Sequence, residues 1–524
     1  MNKIFTVATS CLALVACGGD EPSSTPNDSP DAGNDVADSG PVTQTASFTL
    51  AVQPSAVEVV YGSAVTVTVS VARTGDVGEV AFAVENPPPG ITATFTPLGV
   101  NDTTSTLTLS VDDLAATGAT TLTVVGTSAS GERESTPLSV TVRTLAVSGT
   151  VSLGTSGIEV VLVDGERTTS TTTGDHGAFS FDDVKPPYDL YAVNHTPPAA
   201  PFPGDHVTYY RGLTRPDPTL EVPRMVGGTV LPANTATITG ELSGTAVPLS
   251  PSTGLFIVWT GSDDSAIKAA PSGATSYTFT PTWLGLSVGK RTGVVHALQL
   301  DSSSRAWRGY AKYAVAVDKD ETVTADLNMI EPPVVRVSGA ITPPVGFAAP
   351  EMIFSFHFGE RSYPFPKIPI SGPVDFPIPV LEDGTVSVQF SSKKDAALSE
   401  VIFNDVAAAS DVTHQLMDPP TNLSPAANMI ASVKDHFTWM APAGTVSAVE
   451  WRVGGVTVTL FTTETDVTLP KVEGVVLSPD NAGWTVHAYG PMTKVDDLAG
   501  PTGRKEYKAH STSGVSPFVL TNSP

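Results

Sequence analysis

Between residues 65 and 142, apolar and polar side chains alternate with a period of two. The runs are Val65 to Val71 (VTVTVSV), Thr106 to Val111 (TLTLSV), Thr121 to Val124 (TLTV) and Leu138 to Val142 (LSVTV). A period of two sends successive side chains to opposite faces, so each run predicts a strand with one buried face. Each fully buried Val or Leu contributes about 1.5–3 kcal/mol, and four such faces suffice to close a sandwich. No stretch sustains a 3.6-residue period, and the connections are rich in Gly and Pro. The expected fold class is all-β, a tandem string of small antiparallel β-sandwiches.

From residue 145 the pattern repeats. Three blocks open alike, with Val147-Ser148-Gly149-Thr150-Val151, Ile238-Thr239-Gly240-Glu241-Leu242 and Val337-Ser338-Gly339-Ala340-Ile341. Each continues with a strand ending in glycine (Ile158 to Gly165, Leu255 to Gly261, Ile353 to Gly359) and then an aromatic alternating strand (Phe179/Phe181, Tyr277/Phe279, Phe376/Ile378). The first two also share an aromatic-Arg-Gly step, Tyr210-Arg211-Gly212 and Trp307-Arg308-Gly309. Such self-similarity predicts three modules of one strand order.

Pro87-Pro88-Pro89-Gly90 followed by Ile91 to Pro97 (ITATFTP) resembles the linker of a bacterial immunoglobulin-like repeat, a resemblance covering 46–144. Residues 147–151 and 172–184 (TTGDHGAFSFDDV) resemble the transthyretin-like domain called carboxypeptidase regulatory-like. That resemblance implies a small seven-stranded sandwich that is non-catalytic as a module; it covers 145–226 and extends to 227–330 and, on fewer matching positions, 331–419. Residues 420–524, with Phe437 to Pro442, Val449 to Val453 and Trp484 to Tyr489, resemble a fibronectin type III-like sandwich with buried tryptophans.

The amino terminus changes the picture. Ile4 to Ala16 is uncharged and follows Lys3, the layout of an export signal. It is too short to span a bilayer, which needs about 20 apolar residues. Leu14-Val15-Ala16-Cys17-Gly18-Gly19 resembles a bacterial lipoprotein processing site, which implies a signal peptide at 1–16 and lipidation of Cys17. The resemblance further implies a bilayer partner held through acylated Cys17 and, with Gly rather than Asp after the cysteine, a cell-envelope location at the outer membrane. Cys11 would be removed with the signal, leaving no disulfide and no thiol site in the folded part. Residues 17–45, acidic and poor in apolar side chains, are expected to form a disordered tether.

The chain carries 53 acidic and 28 basic residues, a net charge of −25 over 524 residues. Such a chain repels phosphate backbones, so no nucleic-acid partner is expected.

Candidate chemistry is sparse. Ser287-Val288-Gly289-Lys290 matches Ser-x-x-Lys, but the companion motifs of penicillin-binding enzymes are missing and the tetrapeptide is expected in a loop. Asp175, His176, Asp182, Asp183, His195, Asp205 and His206 crowd the first block, yet their spacing fits no known metal loop. No catalytic residue, metal or cofactor is assigned. Trp439, Trp451 and Trp484 lie within predicted strands and read as core. Trp283 and Trp307 are flanked by polar turn residues, and Tyr209-Tyr210 occupies the position matching Trp307. These four aromatics are the expected exposed ligand edge. The expected role is a non-catalytic binding or adhesion scaffold at the envelope, recognising a glycan or protein. The alternatives are an accessory subunit of an envelope assembly and a hydrolase with a site between modules.

Overall fold

The computed structural model describes residues 46–521 except 98, 100–101, 113, 153–155, 197–203, 223–232, 245–252, 263–267, 271–272, 285–288, 302–305, 360, 366, 405, 407–410, 473–474, 476–480 and 502–508. The expectations for Cys17, the signal segment and the tether lie outside the described residues. The described chain is all-β, with no α-helix among the described residues and only short 3₁₀ turns such as Asp175–Gly177 and Val495–Asp497.

The alternating runs of the first module become the two faces of a sandwich. One sheet joins Ser47–Gln53, Ala64–Thr74, Thr104–Val111 and Ile91–Phe95; the other joins Ala56–Val60, Arg133–Arg143, Gly118–Ser128 and Val80–Glu85. Val67, Val69, Leu107, Leu109, Leu122, Val124, Leu138 and Val140 meet between them and are buried.

The later modules keep their chain order but share sheets and cores. A fourteen-stranded sheet begins in the first repeat block, passes through the C-terminal segment and ends in the third block. Gly204–Leu213 pairs in parallel with Val456–Thr462, from His206↔Thr457 to Tyr210↔Phe461. Ala397–Phe403 pairs antiparallel with Ala509–Thr521, from Leu398↔Thr512 to Val401↔Ala509. The C-terminal segment therefore sits between two blocks that precede it in sequence. Its Val446, Ala448, Phe461, Tyr489 and Leu498 complete the core containing Val160, Leu190 and Tyr210 of the first block.

The second block joins the third face to face. In Arg291–Asp301 every residue from Val295 onward is buried, so both faces of this strand are covered. Val295 and Ala297 face the block's own core with Trp259 and Trp283. Leu298 and Leu300 face the other way, with Trp307, onto Phe354, Phe356 and Phe365 of the third block.

Candidate functional site

The four aromatics expected at an exposed edge are buried. Relative exposure is 6% for Trp283, 2% for Trp307, 8% for Tyr209 and 0% for Tyr210. Trp283 lies in Thr282–Leu284 and meets Trp259 edge-on at 5.9 Å within the second block's core. Trp307 lies in Ala306–Val317, meets Phe356 and Phe365 at 5.6 and 5.8 Å, and donates its indole N–H to the Pro377 carbonyl at 2.8 Å. Tyr210 stacks on Phe461 at 4.6 Å. The physical reason is strand alternation: polar neighbours go to the opposite face, while the ring goes to a face covered by the block's own core, as for Trp283, or by another module, as for Trp307 and Tyr210. In both blocks the aromatic of the aromatic-Arg-Gly step is thus a joint between modules. Trp439, Trp451 and Trp484 are buried in the C-terminal core.

Tyr209 keeps one edge on open space. Its ring stacks on Tyr191 at 5.3 Å with planes 10° apart, and its hydroxyl donates to Asp189 Oδ2 at 3.0 Å. Burial, then the charge of Asp189, pushes the phenol above its ordinary pKa, so it stays a neutral donor. The same carboxylate accepts the Gly212 N–H at 2.8 Å, and Arg211 pairs with Glu464 at 2.7 Å. This network fixes the end of Gly204–Leu213 against the C-terminal segment.

Over this stretch of sheet lies a cleft of about 700 Å³. Tyr209 and Val458 contribute from the two parallel strands, Thr468, Leu469, Pro470, Lys471, Val472 and Val475 from the segment after Asp466–Thr468, and Val433 and Lys434 from the turn before His436–Met440. Its floor is aliphatic. Its charged members among the described residues are Arg211, Lys434 and Lys471, of which Arg211 is already paired with Glu464. Lys434 and Lys471 are exposed, and neither has an ion-pair partner among the described residues. A volume of this size with few polar groups is the usual form of a binding site. Sequence reading reached Tyr209 but missed both lysines. They lie on separate elements, and nothing local marks them as neighbours of Tyr209.

A second polar cluster links the C-terminal segment to the third block. His510 Nδ1 lies 2.9 Å from Glu400 Oε1, and His510 Nε2 lies 3.1 Å from His487 Nδ1. Gln389 donates to Glu400 Oε2 at 2.5 Å, and the His487, His510 and Tyr489 rings are stacked. The neighbouring hydroxyls point elsewhere: Ser399 donates to the Met417 carbonyl and Ser511 to the Asp418 carbonyl. Among the described residues this is a carboxylate-imidazole-imidazole chain that ties the C-terminal segment to the third block.

The acid- and histidine-rich part of the first block is dispersed. Asp175 and His176 form the turn before Phe179, Asp183 accepts from Thr144, and His195 pairs with Asp205 at 2.9 Å. No group of three or more metal-ligating side chains occurs among the described residues. Ser287 lies outside the described residues. Gly285-Leu286-Ser287-Val288-Gly289 also spells the Gly-x-Ser-x-Gly elbow, which requires a strand-to-helix turn. Here the described elements on either side, Thr282–Leu284 and Arg291–Asp301, are both strands, and Lys290 pairs with Glu321 at 2.9 Å. No helix among the described residues is long and apolar enough to cross a membrane.

No family model matches the chain, and no curated protein matches it. Solved structures give only distant likenesses. The ICAM-5 D1–D4 ectodomain fragment has 10% identity and a TM-score of 0.14, covering 90% of this chain and 99% of its own. The tetra-tandem repeat in the extending region of a large adhesion protein has 10% identity and a TM-score of 0.14, covering 91% of this chain and 100% of its own. A streptococcal ancillary pilin has 10% identity and a TM-score of 0.13, covering 52% of this chain and 98% of its own. Likenesses at these scores carry no argument, and the fold rests on the strands and cores described above.

Proposed function

We propose that this chain is a lipid-anchored, extracytoplasmic scaffold that binds a partner at the cell envelope rather than transforming a substrate. Its modules would divide at 46–144, 145–226, 227–330, 331–419 and 420–524 behind a tether at 17–45, with acylated Cys17 in the outer membrane. The observation that carries the reading is the pairing of an open cleft with a frame of shared sheets. A sheet running through three modules supplies the cleft's floor, Tyr209 and Val458, in one geometry, as recognition by a preorganised surface requires. The Leu14 to Cys17 segment supports the anchor, since one lipidated residue behind an acidic tether would hold the modules clear of the headgroups.

Of the four aromatics first expected to recognise a ligand, Trp307 and Tyr210 sit in module joints and Trp283 in the second block's own core, so the binding surface narrows to the cleft beside Tyr209. The test has two arms. The purified full chain is screened on a glycan array and used to retain partners from detergent-solubilised envelope, and a Cys17→Ser chain is fractionated beside it. One specific partner, with the Cys17→Ser chain released to the soluble fraction, is the expected result. Turnover of a substrate, or neither a glycan nor a protein retained, overturns the scaffold reading. A Cys17→Ser chain that stays with the membrane overturns the anchor.

A further inference from the structure

We propose that two copies of this chain pair edge to edge through residues 311–317 of Ala306–Val317, antiparallel across a twofold axis at Ala314. Each repeat block lays down four strands in one order. They are Arg167–Thr172, Glu159–Asp164, Tyr188–Thr196 and Gly204–Leu213 in the first block, Lys268–Ala270, Thr253–Trp259, Arg291–Asp301 and Ala306–Val317 in the second, and Arg361–Pro364, Glu351–Phe358, Thr385–Lys394 and Ala397–Phe403 in the third. In the first and third blocks the C-terminal segment continues the sheet beyond the fourth strand, through Val456–Thr462 and Ala509–Thr521. In the second block, among the described residues, the sheet ends at Ala306–Val317.

That edge is open. The N–H and C=O of Tyr310 both bond to Ile330 and so point away from Arg291–Asp301. Alternation turns the N–H and C=O of Lys312, Ala314 and Ala316 the same way. Lys312, Tyr313 and Ala314 are exposed, Tyr313 at 46%. Sheet edges are commonly blunted by proline, charge or a bulge. Residues 311–317 (AKYAVAV) hold no proline and one charge, and the strand's register irregularity lies at its other end, between Trp307 and Gly309.

The stretch also matches itself. Ile330 beside Tyr310 bounds it on one side and the turn from Asp318 to Glu321 on the other, which leaves Ala314 at its middle. Antiparallel pairing about Ala314 sets Lys312 of one copy opposite Ala316 of the other, Tyr313 opposite Val315, and Ala314 opposite its counterpart. The outward backbone groups of the two copies then satisfy one another. Tyr313 with Val315 is an aromatic and β-branched pair, made twice by the symmetry, on the face where Val315 packs against the second block's core. Charge is compatible too: Lys312, held by Glu382 and Asp383, meets an alanine, so no like charges stand directly opposite. The pair presents two copies of every binding surface, which raises avidity for a repetitive partner.

The test is sedimentation velocity of the full chain carrying Cys11→Ser/Cys17→Ser, which removes lipidation and both native thiols. Rising concentration should convert monomer to dimer, and salt should favour the dimer because each copy carries a net charge of −25. Ala314→Lys, which sets two lysines opposite each other, should weaken dimerisation by about tenfold or more. Ala56→Lys, at an exposed position on the edge strand Ala56–Val60 of the first module, should leave it unchanged. Ala314 is exposed, so its variant should fold as the parent does, which circular dichroism verifies. Oxidised by molecular oxygen, Ala314→Cys in the same chain should give a covalent dimer, since directly opposed Cα atoms at about 5.5 Å suit a disulfide, and Ala56→Cys should not. A monomer at every concentration, a dimer that Ala314→Lys leaves intact, or no cross-link through Ala314→Cys overturns the pairing. None of these outcomes depends on the cleft or the anchor, so the scaffold reading stands or falls separately.

Discussion

His296 sits in the middle of Arg291–Asp301, where it joins the second and third blocks. Its ring stacks on Phe358 at 3.7 Å, and its Nδ1 shares a hydrogen bond with the Tyr310 hydroxyl at 3.0 Å. Burial lowers its pKa from 6.5 to about 4, opposed by the charge of Asp383 and helped by that of Lys312. The unfolded chain therefore takes up a proton that the folded chain refuses. Stability is complete above about pH 6.5 and is lost as pH falls from there towards 4, by roughly 3 kcal/mol for this residue at most. Urea titrations of the parent and of His296→Leu at pH 7 and pH 4.5 should show the variant losing distinctly less stability on acidification. Equal losses in the two proteins would remove His296 from the pH response. The same burial explains Trp307 and Tyr210: at this scale the sequence shows that a residue is aromatic, and only the neighbouring module decides whether its face is free.

At the scale of elements, the parallel pairing of Gly204–Leu213 with Val456–Thr462 is what brings Tyr209 beside Val458 and so makes the cleft floor. That pairing starts at a backbone crossing. Gly204 has φ of +141°, and a Cβ there would collide with the Gly455 carbonyl in the turn before Val456–Thr462. Neither backbone can retreat without breaking the ladder. Gly204→Ala should cost about 2–4 kcal/mol in urea unfolding. Gly212→Ala, at φ of +75° with open space around it, should cost about 1 kcal/mol through backbone strain alone. Equal effects would mean that the crossing is not tight. Strand existence was legible wherever one face was buried, as in 65–71 and 138–142. Where both faces are covered, as in Val295 to Asp301, alternation gives way to a nearly continuous buried run, and that loss of period was the available sign of a second packing partner.

At the scale of the whole molecule, the first module is set apart. Its core is built from its own strands, and its ties to the next block include Lys185 over the Tyr61 ring at 5.2 Å and the Thr144 to Asp183 hydrogen bond. Among the remaining modules, the first block shares two cores with the C-terminal segment, the second shares one with the third, and one sheet runs through the first block, the C-terminal segment and the third block. Calorimetry of the full chain should give one transition for the first module and a separate cooperative one for the rest. Deleting 420–524 uncovers the edge of Gly204–Leu213 and the ring of Tyr210, and should lower the second transition by at least about 10 °C while leaving the first in place. An unmoved second transition would show that the blocks stand alone.

What the sequence determined by itself is what depends on local period and composition. The all-β class, the alternating strands of the first module, the turn at Asp175 and His176, and the core role of Trp439, Trp451 and Trp484 were all readable from neighbours along the chain. Tertiary structure alone decided that the C-terminal segment enters the sheet between the first and third blocks, that Trp283, Trp307 and Tyr210 are covered, and that Arg211, Lys434 and Lys471 surround one cleft. The physical reason is sequence separation. The pairing of His206 with Thr457 joins strands far apart in the chain, and a strand's hydrogen bonds are made by backbone groups common to every residue. The side chains set which face is apolar, and the edge a strand finds is set by the packing of whole modules.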